Sequence, residues 1–187
     1  MTLPQSLFRL ALAVAALLLI PLVAMQFTQE VTWTPLDFAT VGGLLFGAGT
    51  LYLLIARQGG NRTYRLAVAV AVLAGLLLVW ANLAVGLIGS EHNPVNLLFG
   101  AVLLVALLGA VAARFRPSGM AQAMFAAAGT YAAITALALL VWPPATGVAE
   151  PDVNLPNVLV ANGVLASLWL VAGWLFSRAT ASRAQAG

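Results

Sequence analysis

At 187 residues the chain has the length of one soluble domain, but 63% of it is hydrophobic and only 7% is charged, which excludes one. Its net charge of +3 comes from eight arginines, with no lysine, set against five acids. Those arginines flank apolar runs, where they orient membrane spans and meet anionic head groups, so nucleic-acid binding is excluded as well. The chain has no cysteine, which removes disulfides, thiolate metal sites and thiol catalysis.

Six apolar segments run at 10–27, 36–56, 66–89, 97–113, 120–142 and 158–176. A lipid-spanning helix takes about 20 mostly apolar residues. Arg9, Arg57, Arg62, Arg65, Arg114, Arg116, Arg178 and Arg183 fall at one end of these segments; Glu30, Asp37, Glu91, Glu150 and Asp152 fall at the other. Because cytoplasmic loops collect arginine, the pattern predicts an all-α polytopic membrane protein of six transmembrane helices with both termini cytoplasmic.

The first segment follows Arg9 in the manner of a secretory signal peptide. An internal match argues for a retained helix instead. Phe8-Arg9-Leu10-Ala11-Leu12-Ala13-Val14 reads almost like Tyr64-Arg65-Leu66-Ala67-Val68-Ala69-Val70. Pro21, inside that helix, predicts a kink that neighbouring membrane helices tolerate.

The starts of the even-numbered helices carry three strings in register. These are Thr32-Trp33-Thr34-Pro35-Leu36-Asp37-Phe38, Glu91-His92-Asn93-Pro94-Val95-Asn96-Leu97 and Asp152-Val153-Asn154-Leu155-Pro156-Asn157-Val158, at offsets of 59 and 61 residues. Such a period signals a duplicated supersecondary unit. The expected architecture is three tandem helical hairpins, near 8–58, 62–116 and 118–180, in a single transmembrane domain. Like-oriented hairpins give a pseudo-threefold arrangement about an axis along the membrane normal.

Helix capping explains the strings most simply. Thr34, Asn93 and Asn154 are good N-cap residues, and proline follows each at the first or second helical position. Asp37, Asn96 and Asn157 stand three residues beyond, placed to reach back to the cap amide. Asp37, Glu91 and Asp152 also bring negative charge to a helix's positive end. Close packing is expected at Gly43 and Gly47, a GxxxG in the second helix, and at Gly163 and Ser167 in the sixth. Trp33, Trp142 and Trp174 fit an interfacial belt, which leaves Trp80 and Trp169 to face inward.

Residues able to carry chemistry gather on the non-cytoplasmic side. If the third helix runs to residue 89, Asn82 lies roughly 12 Å deep at 1.5 Å per residue. With Glu91, Asn93, Asn96, Asp152 and Asn157 it is a candidate solute or cation site, lined by the oxygen ligands that hard cations use. Asn154 and Asn162 lie close by. The plainer alternative is that Asn82 bonds a neighbouring helix. His92 is the only histidine; one histidine beside one glutamate is too few for a zinc site. Ser90, Glu91 and His92 are triad residue types, but neighbours in one loop rarely make the required hydrogen-bond chain.

No Asp, Glu, Lys, Arg or His falls in the middle of any segment, which disfavours proton relays and voltage sensing. No nucleophile elbow, HExxH or phosphate-binding glycine loop is present, so no enzyme and no cofactor is expected.

Residues 80–97 read Trp-Ala-Asn-Leu-Ala-Val-Gly-Leu-Ile-Gly-Ser-Glu-His-Asn-Pro-Val-Asn-Leu, and 113–120 read Ala-Arg-Phe-Arg-Pro-Ser-Gly-Met. This stretch resembles a segment of small, uncharacterised bacterial six-helix inner-membrane proteins, most specifically over 64–125. The resemblance implies a bacterial inner-membrane location and no mechanism.

Two functions fit these residues. One is a channel or facilitator for a small cation or neutral solute, using the polar site around Asn82, and the acidic mouth leans toward it. The other is a non-catalytic accessory or scaffolding subunit, favoured by short loops and an almost wholly apolar bundle. The expected partners are the lipid bilayer and other membrane subunits or a second copy of the chain.

Overall fold

The computed structural model of the protein describes residues 2–59, 61–90, 93–141 and 155–184. Glu91, His92, Trp142, Glu150, Asp152 and Asn154 lie outside the described residues. The helices are α1 (Leu3–Phe27), α2 (Pro35–Ala56), α3 (Arg62–Ala84), α4 (Gly100–Ala112), α5 (Pro117–Val141) and α6 (Leu155–Ala184). A 3₁₀ segment, Pro94–Phe99, leads into α4, and no strand occurs among the described residues. Among the described residues six spans are long and apolar enough to cross a membrane, the fourth combining the 3₁₀ segment with α4. The all-helical class is as the apolar segments predict, and it is compatible with an integral, multi-pass membrane protein.

The chain divides into two compact units, residues 1–55 and 56–187. In the first, α1 runs unbroken through Pro21. Leu18 Cδ1 comes within 3.1 Å of where a Gly42 Cβ would stand, and Leu10 fills the corresponding space at Gly49. Leu18 and Leu10 of α1 therefore meet α2 at Gly42 and Gly49. The expected pair, Gly43 and Gly47, has nothing within 4 Å of the added Cβ positions. At the start of α2, Asp37 Oδ2 accepts from Thr34 N at 2.7 Å and from Thr34 Oγ1 at 2.8 Å, while Asp37 N donates to Thr34 Oγ1 at 3.3 Å. This is the predicted capping box.

In the second unit α5 packs extensively on α6, α3 on α6 and α4 on α5. Helices adjacent in sequence are thus not always principal partners. α3 and α4 meet through side chains, with Leu103 Cδ2 3.5 Å from the Cβ position of Gly75. Small residues set the close approaches: a Cβ on Gly109 would lie 2.6 Å from that of Ala123, and one on Gly173 2.8 Å from the Phe125 ring. Gly163, expected to pack, has nothing within 4 Å, and Ser167 is exposed and bonds its own helix at Val164 O, 2.7 Å away. Packing in lipid follows side-chain fit, because no hydrophobic drive separates one small-residue face from another. Trp169 is buried as expected, whereas Trp80 is 42% exposed.

The arginine-bearing end of this unit is tied together by two side chains. Asn61 Oδ1 caps α3 by accepting from Tyr64 N at 2.7 Å, and its Nδ2 donates to Ala179 O of α6 at 3.2 Å. The buried Tyr64 hydroxyl donates to Phe115 O at 2.9 Å, with its ring edge-on to Phe176. Phe115 sits in the tight α4–α5 turn, where Arg114 and Phe115 have φ of 48° and 57°. Two successive non-glycine residues in the left-handed region are strained. Hydrogen bonds from Arg114 N to Val111 O (2.8 Å) and Phe115 N to Ala110 O (3.0 Å) hold them there.

Candidate functional site

At the opposite end of the four-helix unit, α3 stops at Ala84, short of the residue 89 its hydropathy predicts. Gly86 causes the stop. Its φ is +75°, and its amide donates back to Ala81 O at 3.0 Å. Any Cβ there would lie 2.5 Å from the Ser90 carbonyl carbon, so only glycine fits. Residues 85–90 then fold inward as a loop, with Leu87 and Ile88 buried alongside Val95 and Phe99. A buried loop leaves backbone groups without water, and each such group left unpaired costs about 1–3 kcal/mol.

Asn96 meets that need. Its Oδ1 accepts from Leu87 N at 3.0 Å and Ile88 N at 2.9 Å; its Nδ2 donates to Ser90 O at 2.8 Å and Ile88 O at 3.3 Å. The amide behaves as an inserted peptide group, pairing with the loop as a strand neighbour would. A role for Asn96 in reaching back to the Asn93 amide is thereby corrected. Asn93 N donates to Ser90 O at 3.1 Å, and Asn93 Oδ1 caps the 3₁₀ segment by accepting from Val95 N at 3.0 Å. The loop offers two donors and two acceptors within one side chain's reach, which outcompetes a single cap bond.

Two further amides pin this assembly to the helices. Asn82 Nδ2 donates to Asn96 O at 2.7 Å from the last turn of α3, so it is not two turns inside a longer helix. Asn162 of α6, buried, donates through Nδ2 to Leu87 O at 3.0 Å and to Val158 O at 2.9 Å. Asn162 Oδ1 accepts from the buried Tyr131 hydroxyl of α5 at 2.9 Å, and the Tyr131 ring lies 5.0 Å from Phe99. The network therefore joins α3, the loop, the 3₁₀ segment, α5 and α6.

Of the six residues proposed from sequence, Asn82, Asn93 and Asn96 come together, Asn157 lies exposed in the first turn of α6, and Glu91 and Asp152 are outside the described residues. Sequence reasoning missed Tyr131 and the backbone of Leu87 and Ile88. A single tyrosine in an alanine-rich helix is the available signal for the first, and the paired Gly86 and Gly89 for the second.

Two hollows adjoin the network. An open groove of about 450 Å³ runs between α5 and α6, lined by Ala136, Leu140, Leu159 and Gly163, with Tyr131 and Asn162 bonded to each other at its base. A smaller hollow of about 160 Å³ is lined by Leu78, Asn82, Asn96, Phe99 and Leu103. Both walls are apolar, and among the described residues no three His, Cys, Asp or Glu gather into a metal-ligating group. The arrangement can exclude water and hold the helix ends in register. Compared with family models, with curated proteins and with solved structures, the chain has no match.

Proposed function

We propose that the chain is a non-catalytic integral membrane protein that serves as an accessory or scaffolding subunit of a membrane assembly. The side chain of Asn96 carries this reading, because all four of its hydrogen bonds go to residues 87–90 of the same chain. Asn82 and Asn162 direct their amides to Asn96 O and Leu87 O in the same way. A facilitator's mouth presents polar atoms to a passing solute, whereas these atoms are engaged in closing the end of the bundle. The distribution of arginine supports cytoplasmic termini, and the resemblance over 64–125 is the ground for a bacterial inner membrane. The alternative, a facilitator for a small cation or neutral solute, needs Asn82 to release Asn96 O during passage.

The test is flux from vesicles reconstituted with the full chain, paired with gentle extraction and crosslinking in native membranes. Cation and glycerol flux equal to that of empty vesicles, together with a stoichiometric membrane partner, is the expected result. Flux above the empty-vesicle level that Asn82→Leu abolishes overturns the scaffold reading in favour of the facilitator.

A further inference from the structure

At the arginine end of the four-helix unit, hydrogen bonds gather three chain segments that carry only positive charge. The bond from Tyr64 OH to Phe115 O brings the first turn of α3, with Arg62 and Arg65, to the turn bearing Arg114 and Arg116. The bond from Asn61 Nδ2 to Ala179 O brings the end of α6, with Arg178, to that same α3 terminus. Arg62, Arg65, Arg114 and Arg116 are all exposed. The first turns of α3 and α5 contain no acid, and the sequence has none between Asp37 and Glu91 or between Glu91 and Glu150.

Positive side chains gathered on neighbouring segments raise one another's electrostatic energy, and neither first turn, of α3 or of α5, carries an acid to offset it. α2 shows the contrast, since Asp37 sits in its first turn. All the cations are arginine and none is lysine. A guanidinium binds phosphate through two parallel N–H···O bonds, which an ammonium cannot do. Arg114 and Phe115 have backbone in the left-handed region and Arg116 N donates to Ala113 O at 3.0 Å, so the turn that carries both arginines is set before any ligand arrives.

We propose that Arg65, Arg114 and Arg116 form a defined site for the phosphodiester headgroup of an anionic phospholipid in the leaflet this end faces. The occupant is a lipid because the site lies at the ends of helices long enough to span a bilayer, where headgroup phosphates are the abundant anions. The inference rests on the membrane reading but not on the absence of flux, so the two can fail separately.

The experiment uses the full chain in zwitterionic detergent, with binding followed by native mass spectrometry and thermal melting. Short-chain phosphatidylglycerol is the probe, and phosphatidylcholine and inorganic phosphate are the comparisons. Stoichiometric phosphatidylglycerol binding is expected, at least about tenfold tighter than phosphatidylcholine and weakened about tenfold in R65Q/R114Q/R116Q. Arg9→Gln, in the other unit, should bind as the wild type does. Melting in lipid-free detergent reports whether the triple variant folds; if it does not, R116Q alone is measured, with a severalfold loss expected. Equal binding of the two lipids, equal weakening by R9Q, or phosphate binding as tight as the lipid overturns the proposal.

Discussion

The two ends of the four-helix unit solve one problem in opposite ways. Helix ends leave N–H and C=O groups unpaired, and near a membrane's apolar interior water satisfies them poorly. At the end holding residues 85–90 and 93–96, the loop turns inward and neutral amides replace the water: Asn96 grips the loop, and Asn82 and Asn162 fasten it. At the other end Arg62, Arg65, Arg114 and Arg116 remain exposed, while Asn61 and Tyr64 reach across to the carbonyls of Ala179 in α6 and Phe115 in the α4–α5 turn. An amide can be buried at no net cost when all its bonds are made, whereas a guanidinium needs a counter-charge. Burial of polarity at one end and display of it at the other is what each side-chain type allows.

The largest way to break this contrast is at Asn96. Asn96→Leu strands the buried N–H groups of Leu87 and Ile88 and the Ile88 carbonyl, leaving Ser90 O only its bond from Asn93 N, and should lower stability by about 3–5 kcal/mol in reversible detergent unfolding. Asn96→Asp has the same shape but turns an oxygen toward Ser90 O and Ile88 O, so it should be at least as damaging. If Asn96→Leu melts with the wild type, the loop does not depend on the amide and the closed end is not held as described.

That dependence also marks where the sequence stops being legible. The six spans are visible because length and hydropathy are properties of the chain alone. The Thr34 and Asp37 box was equally readable, since both partners lie within one turn. The end of α3 was not: Val85, Leu87 and Ile88 continue the apolar run, and hydropathy cannot separate a helix from a buried loop of the same composition. Asn96 resembled a capping residue because its spacing from Asn93 matches Asp37 from Thr34. Its real partners lie 8 and 9 residues upstream in a loop that had been counted as helix. Small-residue packing failed for a related reason. Gly42 and Gly43 are neighbours in sequence on different helix faces, and only the position of Leu18 selects the first.

Gly86 sharpens the comparison at a smaller scale. Gly86→Ala adds a Cβ 2.5 Å from the Ser90 carbonyl carbon at a φ of +75°, and should cost about 1–3 kcal/mol. Gly129→Ala, in α5 with nothing within 4 Å of the new methyl, is the control and should match the wild type or melt slightly higher. Equal losses from both would mean that alanine is tolerated poorly throughout, leaving the turn at Gly86 without special standing.

The smallest effect is expected at the arginine end, with the opposite sign. Arg114 holds a φ of 48° without being glycine, a conformation that costs an L-residue about 1–2 kcal/mol. Arg114→Gly removes that strain but gives the unfolded chain more freedom, so the net gain in lipid-free detergent should be about 0.5 kcal/mol. Arg114→Ala keeps a Cβ and should gain nothing from the backbone. If alanine stabilises as much as glycine, relief of arginine crowding is the cause and the turn is not strained. If glycine alone stabilises, the wild-type chain retains a costly backbone at this position in order to carry a guanidinium there. That outcome separates the two ends by principle: glycine stands where the loop must be buried, and arginine stands where glycine would be the more stable choice.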